Sequence, residues 1–368
     1  MARLSHSIGN TQPTPQKSAV STAHGPEIKV TLDPPNKVFF LTDDPQMPKI
    51  KATCQVPSPT PVPAGGASSV SGPSGAPTSA AQSYDWDVTL VLNPAGVPYS
   101  GGRTTRHSPI HVTTAVPELS LPFTQIRGGM LTVTVATTLQ GKRITGKAVA
   151  EIRGANPGAR LIRAEGVPEI LMKLMQLESS LQQFLTTHAK AGYPVFSHDG
   201  LGGVGLGQIT HPRPTDDEVW NWKANVRAAK THWDSKRRND AKRLLQNYAN
   251  SSDFRDLVDK YNQTRTAPLK PLIITLPPIT DEMLDNEAIR LYNGAPRSSG
   301  HSLQEYRAEI NEGGLLVVDV AQDSLHGTAR WQEVAASDRI DFYDKWKIDP
   351  SQRGDPDYVN HVRSQVVN

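Results

Sequence analysis

A multidomain chain, with an all-β sandwich of immunoglobulin type ahead of a mainly α domain, follows from three features of the sequence. Apolar residues alternate with period two from Glu27 to Arg153, helical spacing takes over from about Pro168, and the turn-rich run Gly154-Ala155-Asn156-Pro157-Gly158 separates the two regimes. The 368-residue length suits about two domains. The divisions are a flexible tail at 1–26, the sandwich at 27–153, a linker at 154–166 and the mainly α domain at 167–368.

The tail is rich in Thr, Ser, Gln and Pro and shows neither hydrophobic period, as a mobile or adaptor-binding arm would. In the sandwich, Ile28-Val30-Leu32, Val88-Leu90-Leu92 and Leu131-Val133-Val135 each place apolar groups on one face of a strand. Further strands are expected at Lys37 to Leu41, Lys49 to Cys54, Ile110 to Ala115 and Arg143 to Ile152, and Gly141 suits a hairpin between Leu139 and Lys142. Seven or so short strands with Pro and Gly between them fit the immunoglobulin pattern. Residues 55–83 hold no charge and are mostly Pro, Gly, Ser and Ala, which reads as a disordered loop between strands.

In the α region, a helix is expected from Pro168 to Gly192, with Ile170, Leu174, Leu177, Leu181, Phe184 and Leu185 as its apolar stripe. A long helix over Asp217 to Asn250 should follow, then helices near Asp253 to Asn262 and Asp281 to Tyr292.

Composition excludes several function classes. A net charge of +3 is too small for a nucleic-acid binder, which needs a basic stripe. With Cys54 as the sole cysteine there is neither an intrachain disulfide nor a cysteine zinc cluster. Apolar runs such as Leu315 to Ala321 fall far short of the roughly 20 residues of a transmembrane helix. The histidines are scattered, without a His-Glu-x-x-His run, so no metal and no cofactor is expected. No Gly-x-Ser-x-Gly elbow appears either. Gly200-x-Gly202-x-x-Gly205 matches dinucleotide-loop spacing, but Pro212 and Pro214 would break the helix that such a loop must open. The basic run Lys236-Arg237-Arg238 with Lys242 and Arg243 reads either as a solvated helix face or as an attractor for acidic peptide stems.

Glu178 falls four residues after Leu174 and three before Leu181, along the edge of the apolar stripe. A carboxylate partly desolvated there would hold its proton to higher pH, which would let it donate a proton near neutrality. Three further segments follow in order: Asp199-Gly200-Leu201-Gly202-Gly203-Val204-Gly205-Leu206-Gly207-Gln208-Ile209, then Leu291-Tyr292-Asn293-Gly294, then Asp357-Tyr358-Val359-Asn360. With Glu178-Ser179 ahead of them, this order resembles the lysozyme-like superfamily, in particular soluble lytic transglycosylases and goose-type lysozymes. The stretch Trp222-Lys223-Ala224-Asn225-Val226 is similar to that family's Asn-containing helix start. The likeness covers about half the chain and does not reach the β-rich part.

The resemblance implies a lysozyme-like domain that binds peptidoglycan glycan strands and cleaves the β-1,4 bond between N-acetylmuramic acid and N-acetylglucosamine. It makes Glu178 the general acid, with Ser179 as its helix neighbour, and has Gly205, Leu206, Gln208 and Ile209 lining the groove. Tyr292 would donate toward the Glu178 carboxylate, Asn293 would support that loop or the sugar, and Tyr358 would pack against the active-site helices. Two positions depart from the pattern: Gly207 stands where Met is usual and Leu291 where Ala is usual. Asp199 is either the water-positioning carboxylate of a hydrolytic muramidase or half of a plain Asp-Gly turn. The other readings are a phage or virion lysin and, in a different class, a glycan-binding structural protein without catalysis. The N-terminal residues lack the apolar region of a secretion signal. An antibacterial effector injected into the target periplasm, for example by type VI secretion, would fit. Its partners would be an adaptor or a component of the secretion apparatus, and a periplasmic inhibitor.

Overall fold

The computed structural model describes residues 28–56, 82–92, 97, 105–187, 189–197, 202–293, 303–322, 325–350 and 353–368. The expected tail at 1–26, most of the loop at 55–83, and Asp199 lie outside the described residues.

The strand-rich half contains β1 (Lys29–Asp33), β2 (Val38–Phe40), β3 (Lys51–Gln55), β4 (Tyr84–Leu92), β5 (Thr105–Arg106), β6 (Ile110–Thr114), β7 (Glu118–Ser120), β8 (Gly129–Leu139) and β9 (Lys142–Arg153). They form a three-stranded sheet in the order β1-β3-β7 and a six-stranded sheet in the order β2-β9-β8-β4-β5, with β6 also on β4. Pairing is antiparallel except between β2 and β9. The β8–β9 hairpin turns at Gln140 and Gly141, with φ of 51° and 74°, and glycine takes the second of these without steric cost. Leu131, Val133 and Val135 on β8 are fully buried, as their alternation requires.

The expected sandwich followed by a mainly α domain is not what forms. The chain is mixed α/β throughout, about 32% helix and 27% strand. Two findings overturn the expectation. The core beneath the strands does not stop at Arg153, because Phe184, Tyr193, Phe196, Val204, Val219 and Trp220 belong to the same buried cluster as Trp86 and Leu131. Gly128 and Gly154 make room for these rings: an added Cβ would lie 2.1 Å from Trp220 in the first case and 2.2 Å from Phe184 in the second. The later half also carries strands of its own, β10 (Ile273–Thr275), β11 (Tyr306–Ala308), β12 (Val318–Val320), β13 (His326–Ala329) and β14 (Trp331–Glu333). They pair as β10-β13-β12 and β11-β14.

The helices are α1 (Ala159–Ala164), α2 (Glu169–Ser179), α3 (Asp216–Trp220), α4 (Trp222–His232), α5 (Arg238–Ala249), α6 (Ser252–Gln263), α7 (Asp281–Tyr292), α8 (Ala336–Lys345) and α9 (Tyr358–Arg363). The helix expected to reach Gly192 ends at Ser179, since Ser180 and Leu181 turn left-handed, with φ of 54° and 55°. Asn156 then draws the chain back, its Oδ1 accepting from the backbone N–H groups of Gln183 at 2.8 Å and Phe184 at 2.7 Å. That return delivers Phe184 to the sheet. The expected long helix from Asp217 breaks at Asn221, whose side chain caps α4 by accepting from the Lys223 N–H at 3.1 Å. A π-helical turn at Trp233–Arg237 joins α4 to α5. A second core beneath these helices gathers Leu171, Leu174, Met175, Trp222, Ile289 and Val362. Among the described residues, no helix is long and apolar enough to cross a membrane.

Candidate active site

Three elements converge on Glu178. It occupies the last turn of α2; α9 packs against α2; and α7 packs against α9. The Tyr358 hydroxyl, at the first residue of α9, donates to Glu178 Oε1. Tyr292, at the last residue of α7, donates to the Gly207 carbonyl. The expected partner of the carboxylate was Tyr292; the structure gives that contact to Tyr358 instead. Burial and the nearby Glu178 carboxylate push both phenols well above the ordinary tyrosine range, so each remains a proton donor near neutrality. The expected half-dry environment for Glu178 is also corrected. Its side chain is exposed, because α2 ends one residue later and the left-handed turn at Ser180 carries no further helical turn over the carboxylate.

The loop of residues 203–209 is fastened beside this carboxylate by buried polar groups. Ser179 Oγ lies within hydrogen-bond distance of both the Met175 carbonyl, 2.9 Å, and the Leu206 carbonyl, 3.1 Å, and so ties the loop to α2. Asn225 is fully buried; its Oδ1 accepts from the Gly207 N–H at 2.9 Å while its Nδ2 donates to the Val204 carbonyl at 3.0 Å. Gln183, also fully buried, accepts from the Leu206 N–H at 3.1 Å and donates to the Val219 carbonyl at 2.9 Å. Removing either side chain would leave loop amides buried without partners. Gln183 escaped sequence reasoning. Its only signal is an uncharged amide set among Leu181, Phe184 and Leu185, all of which the helical reading had placed on one stripe.

The loop residues expected to line a groove divide into two kinds. Leu206 and Ile209 are 0% and 7% exposed, and both belong to the helical core. They support the loop from below and do not present side chains to a ligand. Gly205 has φ +69°, and a Cβ there would meet Gln183 Oε1 at 2.1 Å, so only glycine fits. Gln208 folds back, its Nε2 donating to the Gly205 carbonyl at 2.7 Å. Asn293 is half-buried and donates to the Asp355 carbonyl at 3.3 Å. Gly207 has a packing reason to be glycine, since a Cβ there would stand 2.5 Å from Ala229 Cβ on α4. Gly207→Met is therefore expected to destabilise the chain by about 1–3 kcal/mol through overpacking, read as a lower urea midpoint with an unchanged m-value.

Part of the basic run has a structural use. The π-helical turn carries the Arg237 guanidinium over the Tyr292 ring, 5.7 Å from its centroid, while the His232 ring meets it edge-on at 6.5 Å. Arg238 pairs with Asp281 at 2.7 Å and Asp285 at 3.0 Å. These contacts hold α7, and so Tyr292, against the α4–α5 junction.

On the other side of Tyr358 lies a buried ionic clamp that sequence reasoning missed. Glu287, Arg290, Glu305 and Arg339 are 0%, 8%, 3% and 4% exposed. Arg290 Nε donates to Glu287 Oε1 at 2.9 Å, the Glu305 N–H donates to Glu287 Oε2 at 2.5 Å, and Arg339 donates to Glu305 Oε2. The clamp ties α7 to α8, and a small cavity it lines is shared with Asn293 and Tyr358. Among the described residues, no group of three or more His, Cys, Asp or Glu is placed to hold a metal ion.

No model of a known protein family matches this chain, and no curated protein matches it.

Proposed function

We propose that the chain is a peptidoglycan-cleaving enzyme of lysozyme-like type, acting on the β-1,4 bond after N-acetylmuramic acid as a lytic transglycosylase. The observation that supports this best is the Tyr358 hydroxyl donating to the Glu178 carboxyl across 180 residues of sequence, beside a loop stapled to the same helix through Ser179. Glu178 delivers its proton to the leaving glycosidic oxygen as the bond to the anomeric carbon breaks. The carbonyl oxygen of the neighbouring acetamido group attacks that carbon and holds the developing positive charge. Glu178, now ionised, then takes the proton of the C6 hydroxyl, whose oxygen displaces the acetamido oxygen and closes a 1,6-anhydro ring. One carboxyl group serves both steps. Tyr358 orients it by holding one oxygen, and Tyr292 fixes the loop that faces it.

Mass analysis of muropeptides released from purified sacculi tests the reaction. Anhydro ends are expected, whereas free reducing ends would make the enzyme a hydrolytic muramidase.

The substrate lies outside the cytoplasm, so the site of action is the periplasm of a target cell, reached by injection as an antibacterial effector. In that setting an adaptor or secretion component and a periplasmic inhibitor are its partners. Export of the chain to the periplasm of a test bacterium is expected to lyse it, and cytoplasmic expression to be tolerated. The opposite pattern would overturn this placement.

A further inference from the structure

The six-stranded sheet is interrupted along one side of β4. The first part of β4 pairs with β6, Val88 lying opposite Ile110, and its last two residues pair with β5, Val91 lying opposite Arg106. Residues 107–109 leave the ladder between those strands, held by the His107 N–H donating to the Leu90 carbonyl at 3.2 Å. A cavity of about 430 Å³ opens at this break. Val88, Leu90, Ile110 and Phe123 give it apolar walls, and His107 and Arg127 line it as well.

Those two side chains share an unusual feature. His107 Nε2 and Arg127 Nε are both buried without a hydrogen-bond partner among the described residues. Buried polar groups are nearly always paired, so two orphans on one cavity are a pair that a ligand's acceptor oxygens would satisfy. The other nitrogens of both groups already have neighbours. Arg127 Nη2 donates to Gln125 Oε1 at 2.8 Å and Nη1 to the Ile126 carbonyl at 3.4 Å, and these neutral acceptors leave the guanidinium charge uncompensated. His107 Nδ1 stands 3.8 Å from the Asp216 carboxylate at the start of α3. Burial, and then the Arg127 charge, push the imidazole below its ordinary range, while Asp216 pulls it back up.

We infer that this cavity binds a monocarboxylic acid with an apolar body, its carboxylate on Arg127 Nε and His107 Nε2 and its body against Val88, Leu90, Ile110 and Phe123. The side-chain adjustments common on binding bring both nitrogens to the occupant. Charge sets the class of ligand. Once His107 is protonated, it and Arg127 carry one positive charge each against the negative charge of Asp216, so a monoanion brings the sum to zero. A phosphate dianion would overshoot beside Asp216, and a metal cation would meet the Arg127 guanidinium. The apolar walls add nothing for a bare anion, whereas an acid with a hydrocarbon body removes that surface from water. A free acid and the C-terminal carboxylate of a peptide share this chemistry.

Calorimetric titration of the full chain with phenylacetate tests the site, with phenylethanol as the uncharged analogue. Saturable binding of the acid is expected, with the alcohol about 10 to 100-fold weaker, as the loss of hydrogen bonds between charged groups implies. Arg127→Met keeps an unbranched apolar stem but removes the guanidinium, and should weaken the acid by the same factor. A bound carboxylate draws His107 toward imidazolium, so binding should take up a proton and be tighter at pH 6 than at pH 8. His107→Gln, which cannot ionise, should lose that pH dependence. An acetylated dipeptide ending in phenylalanine, as free acid and as amide, identifies the source. Tighter binding than phenylacetate that is lost on amidation marks the end of a partner chain, and weaker binding marks a free acid. No saturable binding by any of these acids, equal affinity for the alcohol, or indifference to Arg127→Met would overturn the inference. The comparison of acid with alcohol needs only the wild-type chain, so it decides the matter even where a variant fails to fold.

Discussion

Glu178→Gln is expected to lower the initial rate of sacculus clearing by about 10²–10⁴-fold, the range a general acid contributes. The amide keeps the shape of the carboxyl but cannot deliver the proton. Because the side chain is exposed at the end of α2, the thermal midpoint should stay at the wild-type value, which separates lost chemistry from lost folding. Tyr358→Phe should show the opposite balance. It keeps Glu178 but removes the hydrogen bond that orients it, so the rate should fall by a smaller factor of about 10 to 100, as expected for a hydrogen bond to a charged group. A Tyr358→Phe variant with the wild-type rate would show that the phenol packs against the site without orienting its carboxyl.

The largest stability effect is expected from Arg339→Met. Arg339 is the partner that Glu305 has from α8, and removing it strands a buried carboxylate at a cost of about 3–5 kcal/mol at pH 8. Burial pushes the Glu305 carboxyl up to about 7, with Arg339 pulling it back. The folded chain thus holds this proton more tightly than the unfolded chain, whose glutamates titrate near about 4.3. The contribution of Glu305 to wild-type stability is therefore complete below about pH 4 and is lost as the pH rises through 7. In the variant, a carboxyl without its guanidinium takes up a proton more readily still, so the penalty should shrink toward the cost of one lost hydrogen bond, about 1–3 kcal/mol, at pH 5. Urea unfolding of both proteins at the two pH values measures the difference. An equal penalty at pH 5 and pH 8 would mean that Glu305 does not titrate in this range.

The parts of the fold that were legible in the sequence are those with one buried face and enough length to show it. β8 and β9 alternate over 11 and 12 residues, and α7 follows its expected span because Thr280 caps it, accepting from the Met283 N–H at 3.2 Å. β10 to β14 run only three or four residues each, too short for a period of two to stand out, and the mixed architecture was therefore missed. The shared core was hidden for another reason. Phe184 fits a helical stripe by spacing alone, and only the left-handed turn at Ser180 and the pull of Asn156 send it to the sheet. In the candidate site, sequence order singled out the segments around Glu178, Gly205, Tyr292 and Tyr358, but order does not say which hydroxyl reaches which oxygen. Glu287 and Arg290, spaced three apart, look like an ordinary surface pair; cover from Glu305 and Arg339 is what makes them a buried clamp.

A crystal structure of Glu178→Gln with a bound muropeptide tests the central claim most directly. The glycosidic oxygen between the two sugars should lie within hydrogen-bond distance of the residue-178 side chain, about 3 Å, with Tyr358 still on its other side. A glycan seated elsewhere, with its glycosidic oxygen out of reach of residue 178, would contradict the assignment of Glu178 as the proton donor.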